Sequence, residues 1–179
     1  MLSSAREDSS ARELDAFSEK YRRYFPRVFA YVYARVGNVH LTEDLVSEVF
    51  ERAFAKADSL RSDNAFSTWL FTIARNAIIS HGRKYGRETI VDPEVMREIA
   101  PATASVEGEL LQQEELQNVA RLVREFPQRE QDIISLKFDA ELPNQQIADI
   151  MGLSEPNIRV IIFRTLRKLR EMLAAEQRR

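Results

Sequence analysis

Apolar residues recur three and four positions apart through residues 17–83 and again from Leu110 almost to the C-terminus, and no segment alternates convincingly with a period of two. A chain patterned this way can bury helix stripes but not sheet faces. The fold class expected is all-α. Three helices are predicted over Phe17–Val36, Thr42–Ala57 and Ala65–Arg83, separated by "GNVH" and "DSLRSDN", whose Asp and Asn suit turns and caps. Pro26 should kink or interrupt the first of them. Beyond the third, "YGRETIVDPEVMREIAPATASVEGE" holds Gly, two prolines and small polar residues without sustained periodicity. This divides the chain into a helical domain at 15–88, a flexible linker at 89–109 and a second helical domain at 110–179. The second should hold about four helices, with breaks near Phe126-Pro127, Ala140–Pro143 and Gly152. The first 14 residues carry "SSARE" twice and read as a solvated, disordered tail.

Composition removes several classes of function. With no cysteine and two histidines, disulfides and thiolate zinc sites are excluded and no metal or other cofactor is expected. No apolar run reaches the roughly 18 residues that a membrane span needs, and the N-terminus lacks a signal-peptide core, so a cytoplasmic protein without membrane insertion is expected. The net charge is −2, but its distribution is uneven. Asp92–Glu115 holds seven acids and one base, whereas Glu155–Arg179 holds seven bases and three acids. A basic end points to a polyanionic partner.

At that basic end, "QIADIMGLSEPNIRVIIFRTLRKLR" has the layout of a helix-turn-helix. Ile147, Ala148 and Met151 sit at helical spacing, Gly152 supplies the tight turn, Leu153 plugs it, Ser154 suits the next N-cap, and Pro156 falls in a first turn. Wound at about 100° per residue, the second helix places Ile158, Ile162, Thr165 and Leu169 on one stripe, with Ile161 and Leu166 on its flanks. Val160 and Phe163 are left on the opposite face among Arg159, Arg164, Arg167 and Arg170. Arginines there could take phosphates or guanine edges, and Val or Phe a thymine methyl. The same two apolar residues would equally suit the other domain or a partner protein.

In the N-terminal domain, "LTEDLVSEVFERAFAKA" has a core stripe of Val46, Val49, Phe50, Ala53 and Phe54. Leu41 and Leu45 lie off that stripe, sharing a face with Asp44, Glu48 and Arg52, and leucines rimmed by charge suit protein docking. The rival reading, His40, Glu43, Asp44 and Glu48 as metal ligands of an enzyme, lacks matching sets on other helices. In "NAFSTWLFTIARNAIISHGRKYGR", Phe66, Trp69, Leu70, Ile73 and Ala77 form one stripe while Phe71 and Ile78 point the other way, as for a helix covered on two sides. Arg75, Asn76, Arg83, Lys84 and Arg87 interleave amides and cations with the aromatics, the combination that single-stranded nucleic acid requires.

Taken in order, these motifs resemble the extracytoplasmic-function (ECF, group 4) sigma factors of the sigma-70 family. "TEDLVSEVFERAF" is similar to the region 2 helix that docks on polymerase, "AFSTWLFTIARN" to the promoter-melting "F..WL..IA.N" segment, "FPQREQDIISLKF" to the "LP...R.v..L.y" opening of region 4, and "QIADIMGLSEPNIRVIIFRTLRKL" to its helix-turn-helix. The resemblance implies a non-enzymatic initiation factor, with no small-molecule substrate, that binds the clamp coiled coil and flap of core RNA polymerase. It implies polymerase contacts at Leu41, Asp44, Leu45, Glu48 and Arg52, and −10 DNA contacts at Arg61, Ser62, Asn64, Trp69, Arg75, Asn76, Arg83 and Lys84. Asn76 stands near the place of the flipped-out −10 base, and Leu60–Ala65 forms part of its pocket. Contacts to −35 DNA are implied at Glu155, Asn157, Arg159, Val160, Phe163, Arg164 and Arg167, and an anti-sigma factor is the implied regulator. The chain departs from the family pattern at Val160, Ile161, Ser80, Gln131 and Gln146; in the family the last two are commonly Arg and Glu. No further domain is expected after region 4.

Overall fold

The computed structural model describes the backbone of residues 2–55, 62–85 and 106–178, with side chains for 15–55, 62–84 and 115–178. Seven helices are found among the described residues: α1 Leu2–Val36, α2 Val39–Phe54, α3 Asp63–Tyr85, α4 Val106–Val123, α5 Gln128–Phe138, α6 Asn144–Met151 and α7 Glu155–Glu176. Helices α1 to α3 build the N-terminal domain and α4 to α7 the C-terminal one.

Local chemistry accounts for most boundaries. Gly37 ends α1 at φ 66°, a left-handed conformation that favours glycine, and its N–H donates to the Tyr33 carbonyl at 2.7 Å. Asn38 caps α2, its Oδ1 accepting from the Leu41 N–H at 2.9 Å, and the Ser62 hydroxyl accepts from the Ala65 N–H at 3.1 Å as α3 begins. Pro127 and Pro143 precede α5 and α6, where a missing N–H costs nothing. Gly152 closes α6 at φ 64°, and the Leu153 N–H donates back to the Ala148 carbonyl at 2.9 Å. Ser154 holds the extended N-cap conformation of α7, but its side chain makes no capping hydrogen bond.

Three expectations are corrected. Pro26 lies inside a continuous α1; both it and Arg22, whose carbonyl it leaves without a donor, are exposed residues. The helix runs back to Leu2, through the stretch expected as a disordered tail. Ala, Arg, Glu and Leu there are good helix formers, and they extend a helix already nucleated by its packed C-terminal half. Helix α4 starts at Val106, inside the expected linker; residues 89–105 of that linker lie outside the described residues.

The buried residues do not form one core per domain. A single cluster runs from Tyr24, Val28, Tyr31 and Val32 of α1, through Val46, Val49 and Phe50 of α2 and Phe66, Leu70 and Phe71 of α3, to Ile133 and Leu136 of α5, Ile147 of α6 and Ile158 of α7. A smaller cluster of Leu122, Phe126 and Leu169 joins α4 to α7. Across the domain boundary α1 packs on α5 and α3 packs on α6. Phe71 and Ile78, on the second apolar side of α3, are buried as a helix covered on two sides requires.

Polar contacts seal this boundary. Arg35 Nε donates to one oxygen of Asp132 at 2.9 Å and Arg75 Nε to the other at 3.2 Å, with Arg35 and Asp132 almost completely buried. Arg35 also donates to Gln131, whose own amide donates to the Arg124 and Phe126 carbonyls at 2.9 and 2.6 Å. The Ser67 hydroxyl donates to Gln146 Oε1 at 2.9 Å, and Gln146 Nε2 donates to Asn64 Oδ1 at 3.1 Å. Arg27 donates to the carbonyls of Ala140 and Glu141 at 2.8 and 3.2 Å, in the α5–α6 loop where Glu141 is held at φ 53°.

Candidate nucleic-acid interface

Helix α7 meets the rest of its domain along Ile158, Thr165 and Leu169, which are buried, with Ile161 and Ile162 half-buried beside them; Leu166, expected on the flank of this stripe, is instead exposed. Everything on the far side is solvent-facing. Phe163 is 66% exposed and Val160 46%, and at i and i+3 they adjoin on one face, where a contiguous apolar patch rimmed by polar groups marks an interaction site. Around them Asn157, Arg159, Arg164 and Arg167 are also exposed and Glu155 is partly so. Arg159 is paired to Glu155 at 2.7 Å, and Arg167 lies 3.8 Å from Glu171. Surface pairs of this kind are weak and exchange readily for phosphate. The candidate −35 residues therefore share one accessible face, apolar at its centre and cationic at its edges.

Helix α3 separates its candidate residues. Ser62, Asn76, Arg83 and Lys84 are exposed, and Trp69 is half-buried with its ring 6.5 Å from that of Phe66. Asn64 and Arg75 are engaged by the C-terminal domain, through Gln146 and Asp132. Arg61 and most of the preceding pocket loop lie outside the described residues. Lys20, on α1, sits 4.6 Å from the centroid of the Phe66 ring, so cationic and aromatic groups are already in contact at the start of α3.

On α2, Asp44 and Arg52 are exposed, Leu41 and Glu48 are half-buried, and Glu48 pairs with Arg52. Leu45 departs from the sequence reading. It is 5% exposed and belongs to the core cluster, not to an open face. The stripe buried on α2 takes in Thr42, Leu45, Val46, Val49, Phe50 and Ala53, whereas Phe54, expected on the core stripe, is 50% exposed. A short helix clasped between two neighbours buries more than one narrow stripe, which a helical wheel of α2 by itself does not include. His40 lies 3.6 Å from Glu43, and among the described residues no group of three or more His, Cys, Asp or Glu side chains is placed to hold a metal ion.

Sequence reasoning missed Arg27, Arg35, Ser67 and Asp132. Arg35 and Asp132 are 97 positions apart, and nothing local marks either. Gln131 and Gln146 did carry a signal, as departures from the family pattern, and both prove to face the N-terminal domain.

Comparison with known proteins agrees with this layout. Residues 21–88 match Sigma-70 region 2 and residues 122–171 match Sigma-70, region 4. The ECF RNA polymerase sigma factor BldN of Streptomyces coelicolor is 33% identical over 175 residues, covering 96% of this chain and 66% of that protein's length. The ECF RNA polymerase sigma-E factor of Escherichia coli K12 is 30% identical over 163 residues, covering 83% of this chain and 82% of the relative. In fold, the chain is similar to the sigma factor RpoE of Bartonella quintana, solved in complex with the anti-sigma factor NepR, with a TM-score of 0.67, 23% identity and coverage of 89% and 97%. Two sigma-70 regions in order on two helical domains, and a relative aligned along most of both chains, place this protein in the family of ECF RNA polymerase sigma factors.

Proposed function

We propose that the chain directs core RNA polymerase to specific promoters, holding the −35 element with α7 and opening the −10 element with α3, without a catalytic group of its own. The observation that carries this reading is the exposed α7 face, where Val160 and Phe163 stand among Arg159, Arg164 and Arg167 with their backs to a closed core. Bases read in the major groove need this mixture, since thymine methyls take apolar contacts while guanine edges and phosphates take arginine. The proposed −10 set is Ser62, Asn64, Trp69, Arg75, Asn76, Arg83 and Lys84, with Arg61 in the preceding loop; the proposed polymerase contacts are Leu41, Asp44, Glu48 and Arg52 around a buried Leu45. The clamp coiled coil and the flap of polymerase are the proposed partners of the two domains, in the cytoplasm. Among the described residues no helix is long and apolar enough to cross a membrane. An anti-sigma factor as regulator is supported by the relative solved with one.

The test is co-elution with core RNA polymerase and transcription from candidate promoters, wild type beside a Leu41→Ala/Asp44→Arg variant. Asp44 is exposed and Leu41 is half-buried at the edge of the core, so a thermal melt of the variant beside the wild type checks that the fold is kept. Binding by the wild type and its loss in the variant is the expected result. A folded wild type that fails to bind core polymerase would leave an ordinary DNA-binding regulator as the better account.

A further inference from the structure

The domain boundary covers one part of the molecule selectively. On α3, Asn64, Ser67 and Arg75 fall on a single stripe by helical spacing, and each bonds to the C-terminal domain. Ser67, which is buried, and Asn64, which stays exposed, bond to Gln146, and Arg75 bonds to Asp132. Asp44 and Arg52 on α2, and the cationic face of α7, stay open in the same structure.

The chemistry of the covered stripe is specific. Arg35 from α1 and Arg75 from α3 converge on one point, each Nε bonded to a different oxygen of the Asp132 carboxylate. A phosphodiester also offers two oxygens on one centre, and guanidinium forks suit either anion. Among the described residues, the carboxylate bonded to these two guanidiniums comes from the other domain. Without it the N-terminal domain would hold two convergent cations and need an anion in its place. Next along the stripe lie the Ser67 hydroxyl and the Asn64 amide, groups that can hydrogen-bond unpaired bases.

We infer that Arg35 and Arg75 form a phosphate clamp for the single-stranded promoter segment, and that Asp132 fills it in the free chain, making the C-terminal domain a built-in competitor for that DNA. The inference rests on the assignment of α3 to the melted strand. Closure carries its own cost. The Tyr31 hydroxyl, buried beside this network, has no hydrogen-bond partner among the described residues, and burial first, then the Asp132 carboxylate, raises its pKa further.

The chain has no cysteine, so dyes placed at His40→Cys and Glu171→Cys report the separation of the domains in the full-length protein by energy transfer. Binding of a short fluorescent thymidine single strand is measured in parallel. Asp132→Ala should lower the energy transfer and tighten strand binding roughly tenfold, because apparent affinity scales with the open fraction. Adding Arg35→Ala should abolish the gain while energy transfer stays low. Asp132→Asn, which keeps the shape and removes the charge, should act in the same direction and guards against misfolding of the alanine variant. Unchanged energy transfer in both Asp132 variants would overturn the competitor role, and a gain that survives Arg35→Ala would overturn the clamp. Co-elution with polymerase reports the family role separately, so the two readings can fail independently.

Discussion

At the residue scale, exposure separates two classes of apolar side chain that look alike in sequence. Phe163 stands open on α7 and Leu45 is closed inside α2. Phe163→Ala should therefore leave the unfolding midpoint nearly unchanged and weaken −35 DNA binding by several-fold, on the order of 1 kcal/mol for a lost base contact, measured by titration of a promoter fragment at fixed salt. Leu45→Ala should do the reverse. It removes buried methyl groups and is expected to cost about 2 to 5 kcal/mol of stability, read from denaturant unfolding, with polymerase binding lost only in proportion to the unfolded fraction. The wheel of α7 is legible in sequence because that helix packs on one side and faces solvent on the other. The wheel of α2 is not, because its neighbours decide how wide the buried stripe becomes.

At the scale of the element, the turn between α6 and α7 depends on one backbone conformation. A Cβ at Gly152 would meet open space, so only its φ of 64° opposes a side chain. Gly152→Ala should cost about 1 to 2 kcal/mol, seen as a lower denaturant midpoint without a change in slope. The C-terminus of α5 has a different liability. Asp139 follows the last turn, where the helix dipole already disfavours a negative charge. Burial raises its pKa to about 6, against the opposing Ser135 hydroxyl and Arg35. A carboxyl that titrates near 6 when folded and near 4 when unfolded binds its proton more tightly in the fold. Its contribution to stability is complete below about pH 4 and is lost as pH rises toward 6. Asp139→Asn should thus be more stable than wild type at pH 7, on the order of 2 kcal/mol, with the difference vanishing near pH 4. Thermal melts of both proteins across that range provide the check.

Taken whole, the molecule joins two domains through a shared core, and this has a thermodynamic signature. Because buried side chains run without a break from α1 to α7, calorimetry of the wild type should show one cooperative transition. Asp132→Ala should split it in two, as each domain melts separately. The same closure lowers the cationic charge that a chain of net charge −2 leaves open on its surface. Part of its cationic equipment, Arg27, Arg35 and Arg75, is spent on carbonyls and a carboxylate of its own C-terminal domain.

What the sequence determined by itself is the local part: helical class, the breaks between α4, α5, α6 and α7 at Pro127, Pro143 and Gly152, and the outward face of α7. These follow from backbone chemistry and from periodicity within one helix, which act over a few residues. The four ordered motifs likewise carried the family, because each is a contiguous string. Only the tertiary structure decided that Leu45 is core, that α1 passes through Pro26 without ending, and that Asp132 meets Arg35 and Arg75. Each of those depends on which surface lies opposite, and a buried ion triad drawn from α1, α3 and α5 exists only once the two domains have met.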